Sequence, residues 1–331
     1  RKKVIEISNR AKAISYAIKD LNIGEILLVA GKGHEKTQDM GKRKINISDK
    51  KIILDSIKIK NKNLSNNLKF EIIKEVSGFK KFLSSTVLKK ARINSQEVKK
   101  DDIFFAIKGK KNDGNKFVHQ SFKRKASLAV VNTIQSDCSI KRQIKVKDTL
   151  KFLTEISKIL RKNITTKIVA ITGSCGKTTL KELLGNSLKK IEKTSFSPKS
   201  YNNKFGVPLS LFNLNKNDKY GVLEVGMDKK GEIDNLSKII QPDISVITNV
   251  NYAHAKNFKN INQIALAKSE IIHNTKQNGH IVLNADDNFF RLHKKLALKN
   301  NLKVISFGIK NKKSNIKFIK IKRIGKIYKL N

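Results

Sequence analysis

The chain reads as an α/β protein built mostly on a parallel sheet, and three observations predict it. Short apolar runs recur at 167–172, 220–225, 244–248, 280–283 and 303–307. A glycine loop and an amphipathic helix follow the first of them. That alternation argues for parallel strands with helices on both faces. Finally, 331 residues with 39% apolar content allow two or three domains, each with a core.

In chain order, the first unit covers residues 1–57. The stretch NRAKAISYAIKDL spaces Ala11, Ile14, Ala17, Ile18 and Leu21 as one helix face. EILLVA (Glu25 to Ala30) then predicts a short buried strand running into GKGHE. Residues 58–74 are assigned to a linker, because 58–70 is polar, rich in Asn and Lys, and lacks sustained periodicity. A smaller α/β domain is expected over 75–163. Its strands are DDIFFAIKG (101–109) and SLAVVN (127–132), and its closing helix is 149–163 with apolar positions Leu150, Leu153, Ile156, Ile159 and Leu160. From 164 to 331 the chain is expected to form the main parallel-sheet domain. There is no repeat at solenoid spacing.

Composition narrows the class. No apolar run is long enough to span a membrane as a helix, and RKKVIEISNRAKAI has no secretory apolar region. The two cysteines, Cys138 and Cys175, cannot build a disulfide framework and fit a reducing compartment, so a cytoplasmic location is expected. Lys and Arg number 71 against 27 Asp and Glu, a net charge of +44. Such a balance points toward nucleic acid when basic residues cluster and aromatics interleave with them. Here lysine is spread along every segment and Trp is absent, as compositional bias produces, and no specific nucleic-acid partner is expected. A basic protein still suits polyanions such as nucleotides. The chain opens without Met and closes at KIYKLN without a cap or polar tail, so a fragment of a longer protein is expected.

The strongest local signal is IVAITGSCGKTTLKELL. A strand runs into a glycine loop that opens a helix, so backbone N–H groups and a helix N-terminus can face phosphate oxygens. Gly173, Ser174, Cys175, Gly176, Lys177, Thr178 and Thr179 form the predicted ATP site. Gly173 and Gly176 allow close approach, Lys177 can reach the β- and γ-phosphates, and the Thr178 hydroxyl can ligate Mg²⁺. The general P-loop pattern has a further glycine where this chain has Ile171, so the loop is the narrower GxxGKTT form. Cys175 reads as a small filler, since its position contributes backbone. Glu224 ends a strand, where a carboxylate could hold Mg²⁺, although a lone strand-end Glu is usually just solvated.

TGSCGKTT is followed by NNKFGVPLSL (202–211), LEVGM (223–227), TNVNYAHAKNF (248–258), ALAKSEI (265–271) and LNADD (283–287). In that order and spacing they resemble the central domain of Mur ligases. INSQEVKKDDIFFAIKGKKNDGNKFV (93–118) resembles the UDP-sugar-binding domain of the MurF type. EILLVAGKGHEKTQ resembles the end of the C-terminal domain of MurE-type ligases, which would make this chain a piece of a MurE–MurF fusion lacking the final ligase domain. The resemblance implies metal roles for Glu224, His254 and a carbamylated Lys268, adenine contact by Asn284, and a substrate-facing loop at Asn202 and Asn203. It implies substrate contacts at Ser95, and at Gly31 and Glu35 of the first unit. The family's Asp-Ser-Arg is here Asn94, Ser95 and Gln96, so the arginine contact is lost, while Lys108, Gly109 and the NDGN loop (112–115) keep the pattern.

The implied reaction activates the terminal carboxylate of a UDP-N-acetylmuramoyl-tripeptide with ATP as an acyl phosphate. The amine of D-alanyl-D-alanine then attacks it, with Mg²⁺ as cofactor. A monomer is expected, inactive in ligation without the C-terminal domain. Three other readings stay open: a MurE-type or folylpolyglutamate-type sister ligase, a basic P-loop ATPase acting on nucleic acid, and a non-enzymatic remnant that binds nucleotide only.

Overall fold

The computed structural model describes residues 4–21, 26–31, 37–39, 44–46, 48–79, 88–109, 112–252, 257–311, 313–317, 321–324 and 327–330. They fall into two compact units, residues 1–68 and 69–331.

In the first unit, α1 (Arg10–Asp20) starts where the Asn9 side chain accepts from the Lys12 amide, and it buries Ile14 and Ile18. β1 (Thr37–Asp39) pairs antiparallel with β2 (Lys44–Asn46). α2 (Asp49–Ser77) follows, and the Asp49 carboxylate holds the Arg10 guanidinium at 2.7 Å.

Two expectations fail here. Ile26–Ala30 carries no strand, and Ile26 and Leu28 are 95% and 85% exposed. An apolar run of this kind becomes a buried strand only when neighbours supply ladder partners and two covered faces. Residues 58–74 are helical, inside α2, and the boundary between units falls within them. Nothing between Asp49 and Ser77 is Gly or Pro, and Lys and Leu are good helix formers. A missing apolar stripe argues against burial of a helix, not against a helix.

The second unit opens with a four-stranded parallel sheet in the order β3-β4-β5-β6. Its strands are β3 (Ala91–Arg92), β4 (Ile103–Phe105), β5 (Leu128–Val131) and β6 (Gln143–Lys145), with α3 (Val118–Lys123) packed on β5. β4 is shorter than the apolar run 101–109, because Asp101 takes a left-handed φ of 70° and Lys108 bridges back to Asp113. Phe104, Val118, Ala129 and Val131 form its core. α4 (Thr149–Lys162) follows from the Asp148 cap. The sequence assigns α4 to this smaller domain, but it packs on helices of the main sheet. Ser157 donates to the Pro208 carbonyl, and the buried Arg161 guanidinium ties together the carbonyls of Thr166, Ile240 and Gln241 and the Asp243 carboxylate.

The main sheet is parallel throughout, in the order β13-β12-β11-β10-β7-β9-β8. Along the chain come β7 (Lys167–Thr172), α5 (Lys177–Lys189), β8 (Thr194–Phe196), α6 (Gly206–Phe212) and β9 (Tyr220–Glu224). Next are α7 (Glu232–Ile240), β10 (Ile244–Ile247), α8 (Ile261–His273), β11 (His280–Asn284) and α9 (Phe290–Lys299). β12 (Lys303–Gly308) and β13 (Ile316–Lys317) complete it, and β14 (Ile321–Ile324) pairs antiparallel with β15 (Ile327–Leu330). β7 buries all of Ile168–Thr172, as a two-sided parallel strand must. The chain places β9 on one side of β7 and β10 on the other. Strand order reverses there, and such a reversal opens a crevice at the carboxyl ends of the strands. Among the described residues no helix is long and apolar enough to cross a membrane.

Candidate active site

The glycine loop leaves β7 at this reversal. Gly173 has φ 145° and Gly176, which opens α5, has φ 80°, both in the region that disfavours side chains. A Cβ on Gly173 would lie 1.9 Å from Thr248 Oγ1, so the loop is pressed against the end of β10. That neighbour braces it. The Ser174 amide donates to the Asn249 carbonyl at 2.9 Å and the Cys175 amide to Asn249 Oδ1 at 3.0 Å. Thr248 Oγ1 donates to the Cys175 carbonyl at 2.7 Å, and Ser174 Oγ exchanges bonds with the backbone of Asn251. The sequence motif TNVN contains these braces, but residue-by-residue reading did not give Thr248, Asn249 or Asn251 a role.

The Lys177 ammonium lies on the loop's own carbonyls, 2.8 Å from Gly173 O and 3.3 Å from Ser174 O. One turn of α5 presents Thr178, whose Oγ1 donates to Glu224 Oε2 at 2.8 Å. The register of β7 and β9 sets Glu224 beside Ile171. Its other oxygen, Oε1, accepts from Asn202 Nδ2 at 2.7 Å. Glu224 is 1% exposed, and among the described residues no cation pairs with it. Thr178, Glu224 and Asn202, apart by 22 to 46 residues in the chain, thus form one hydrogen-bonded set.

A cleft of about 480 Å³ opens beside them. Gly173, Lys177, Asn202, Asn203 and Lys268 line it, with an apolar wall of Phe205, Met227 and Leu236. Asn203 Oδ1 accepts from the Phe205 and Gly206 amides and so starts α6, which fixes Asn203 at the rim. Lys268 is 1% exposed. Burial, and then the Lys177 ammonium, pull its amine down from 10.5 to about 8, with Cys175 acting the other way.

Other predicted residues lie apart from this cleft. Asn284, at the end of β11, uses Oδ1 to accept from the Asp286 amide and is not among the cleft-lining residues. Ser95 is 5% exposed and donates to Gln120 Oε1 at 2.6 Å. Gly31 belongs to the first unit, with a left-handed φ of 93°. His254 and Glu35 lie outside the described residues. Thr179 is exposed in the first turn of α5, and the Cys175 side chain is exposed in the loop. Among the described residues no cluster of three His, Cys, Asp or Glu side chains could hold a metal.

The chain is similar to known proteins. Residues 171–329 match the family model of the Mur ligase middle domain. The UDP-N-acetylmuramoyl-tripeptide–D-alanyl-D-alanine ligase of Buchnera aphidicola from Acyrthosiphon pisum is 37% identical over 234 residues, 68% of this chain and 50% of that protein. The ligase of the same name from Haemophilus influenzae is 33% identical over 212 residues, 63% of this chain and 46% of that protein. The crystal structure of MurF from Acinetobacter baumannii superposes with a TM-score of 0.66 at 29% identity, covering 76% of this chain and 55% of that one. MurF from Thermotoga maritima, solved in complex with ADP, gives 0.62 at 28% identity, covering 75% and 56%. The chain spans about half the length of the curated relatives it matches. With the loop, the strand-end carboxylate and the parallel sheet in place, the chain belongs to the Mur ligase family, as a MurF-type member.

Proposed function

We propose that this chain carries the nucleotide- and UDP-sugar-binding parts of an ATP-dependent ligase of peptidoglycan precursor synthesis. The ligase joins D-alanyl-D-alanine to a UDP-N-acetylmuramoyl-tripeptide. The observation that carries this reading is the phosphate loop opening on a cleft beside the set Thr178–Glu224–Asn202. The names of the relatives supply the substrates.

The loop N–H groups and Lys177 hold the ATP phosphates and neutralise the transferring phosphoryl group. Thr178 and Glu224 suit Mg²⁺: a buried carboxylate that pairs with no cation among the described residues, next to a hydroxyl, is a hard oxygen set that lacks its charge. Bound Mg²⁺ would neutralise charge on the β- and γ-oxygens. His254 and a carbamylated Lys268 complete a second metal position in this reading. An amine held at about 8 is uncharged often enough near neutral pH to react with carbon dioxide. Asn284 contacts adenine, Asn202 and Asn203 face the peptide substrate, and Ser95 belongs to the UDP-sugar domain. Residues 1–57, with Gly31 and Glu35, are the end of a MurE-type domain in a fused protein. The protein works as a cytoplasmic monomer, and nucleic acid is not a ligand.

Calorimetric titration of the chain tests this. It should bind Mg²⁺-ATP and the UDP-muramoyl-tripeptide, and Lys177→Ala should abolish only the first. ATP hydrolysis that rises with DNA or RNA and ignores the muramoyl-peptide would refute the ligase reading in favour of a nucleic-acid ATPase.

A further inference from the structure

Lys181 stands four residues after Lys177 on α5 and is fully buried. On a P-loop helix a lysine in this position would ordinarily lie in solvent. Here its ammonium donates to the Lys199 carbonyl and pairs with Glu182 at 3.0 Å. A buried ammonium costs several kcal/mol before its partners are counted, so its site is set by those partners.

Lys199 sits in the turn between β8 and α6, with a left-handed φ of 49°. The turn closes on itself through Tyr201 N to Pro198 O and Asn202 N to Ser200 O. Three residues on from Lys199, Asn202 holds Glu224 through its side chain and receives the Gly226 amide on its carbonyl. Glu224 in turn holds Thr178, back on α5. The contacts form a closed circuit: Lys181, the Lys199 turn, Asn202, Glu224, Thr178 and back along α5. The Lys199 side chain runs the other way, to Glu97 Oε1 at 3.1 Å, beside Ser95 in the smaller sheet domain.

We propose that Lys181 is a positioning residue whose buried ammonium ties the 197–202 turn to the phosphate-loop helix and so sets how Asn202 and Thr178 share the Glu224 carboxylate. This rests on the reading of Thr178 and Glu224 as the Mg²⁺-ATP site. Through Lys199 the same turn reaches the domain assigned to the UDP-sugar, so one short segment touches both halves of the site.

The test uses Lys181→Met, which keeps length and apolar volume. The Glu182 carboxylate is 43% exposed and stays solvated when the ammonium is removed, so no charge is left buried and the variant should fold. Hydrogen exchange of the 197–203 segment and of the Gly226 amide should accelerate about tenfold or more without any ligand, as local opening becomes easier. Affinity for Mg²⁺-ATP should fall about tenfold, as loss of a supporting contact around a metal site does, with metal-free ATP changed less than about twofold. In a cycle with Asn202→Ala, the double variant should bind Mg²⁺-ATP no more weakly than Asn202→Ala alone. Unchanged exchange, or losses that add in the cycle, would overturn the proposal. If wild type binds ATP equally with and without Mg²⁺, the metal reading of Glu224 fails, and the exchange data alone decide whether Lys181 holds the turn.

Discussion

Alanine at Gly173 and at Gly176 separates steric from conformational cost within one loop. At Gly176 an added Cβ meets nothing among the described residues within 4 Å, and the φ of 80° is what resists it. A left-handed alanine costs about 1–2 kcal/mol. At Gly173 the φ of 145° belongs to a region held almost only by glycine, a cost of about 1–3 kcal/mol. The new Cβ would also stand 1.9 Å from Thr248 Oγ1 and 3.1 Å from the Thr248 backbone nitrogen, so β10's end must retreat. Retreat breaks the Thr248 bond to the Cys175 carbonyl, about 1 kcal/mol more. Gly173→Ala should therefore destabilise the chain by about 2–4 kcal/mol and Gly176→Ala by about 1–2 kcal/mol. Urea unfolding without nucleotide reads both values. Gly173→Ala should additionally weaken ATP binding beyond tenfold, because the loop loses its anchor on the residues that follow β10. Equal unfolding costs for the two variants would refute the claim that the loop is pressed onto the end of β10.

Two further outcomes follow from buried polar groups. Lys69 is buried over the Phe212 ring at 5.2 Å, and burial is the main reason its amine falls from 10.5 to about 8. Between those values the folded chain binds fewer protons than the unfolded chain, so this lysine makes stability rise with pH through that window and costs most below pH 8, up to about 3 kcal/mol. Lys69→Met should raise stability at pH 7 by about 1–2 kcal/mol and remove roughly half of the rise, Lys268 supplying a similar share; an unchanged pH slope would refute this. Ser95→Ala should cost about 1 kcal/mol of stability through the lost bond to Gln120, and more than tenfold loss of UDP-muramoyl-tripeptide affinity would be needed to place its hydroxyl on the substrate.

The parts of the molecule that were legible in the sequence are those where local chemistry decides the outcome. KIVAIT is apolar on both faces and ends at glycine, and β7 has those same bounds, Lys167–Thr172. α4 shows its stripe plainly, and Phe152, Leu153, Ile156 and Leu160 are buried on it. Where distant contacts decide, local reading failed. α2 is helical without a stripe, and Ile26–Ala30 is apolar but has no strand partner among the described residues. Sequence adjacency puts α4 with the smaller domain, because it cannot show that Arg161 reaches the carbonyls of Ile240 and Gln241. Lys181 looks like any helix lysine until the Lys199 carbonyl is brought to it. The site divides in the same way. Glycine, lysine and threonine of the loop announce themselves by spacing, whereas the Glu224 role needs the β7–β9 register before it is more than a strand-end carboxylate.

That register also gives the pair Thr178 and Glu224 a meaning beyond one hydrogen bond. Two adjacent ligands on an octahedral Mg²⁺, each about 2.0–2.1 Å from the ion, are separated by about 2.8–3.0 Å. Thr178 Oγ1 and Glu224 Oε2 stand 2.8 Å apart. The two oxygens therefore already have the separation of one octahedral edge. For both to face a cation, the Thr178 hydrogen would have to rotate off Glu224. Asn202 holds the other carboxylate oxygen, so the carboxylate would keep its orientation while its first oxygen changes partner. Burying an uncompensated carboxylate costs stability, and that cost is what a divalent cation would recover on binding. In the proposed reading, preorganisation of this kind would favour metal arriving as Mg²⁺-ATP, because the phosphates would supply the remaining charge.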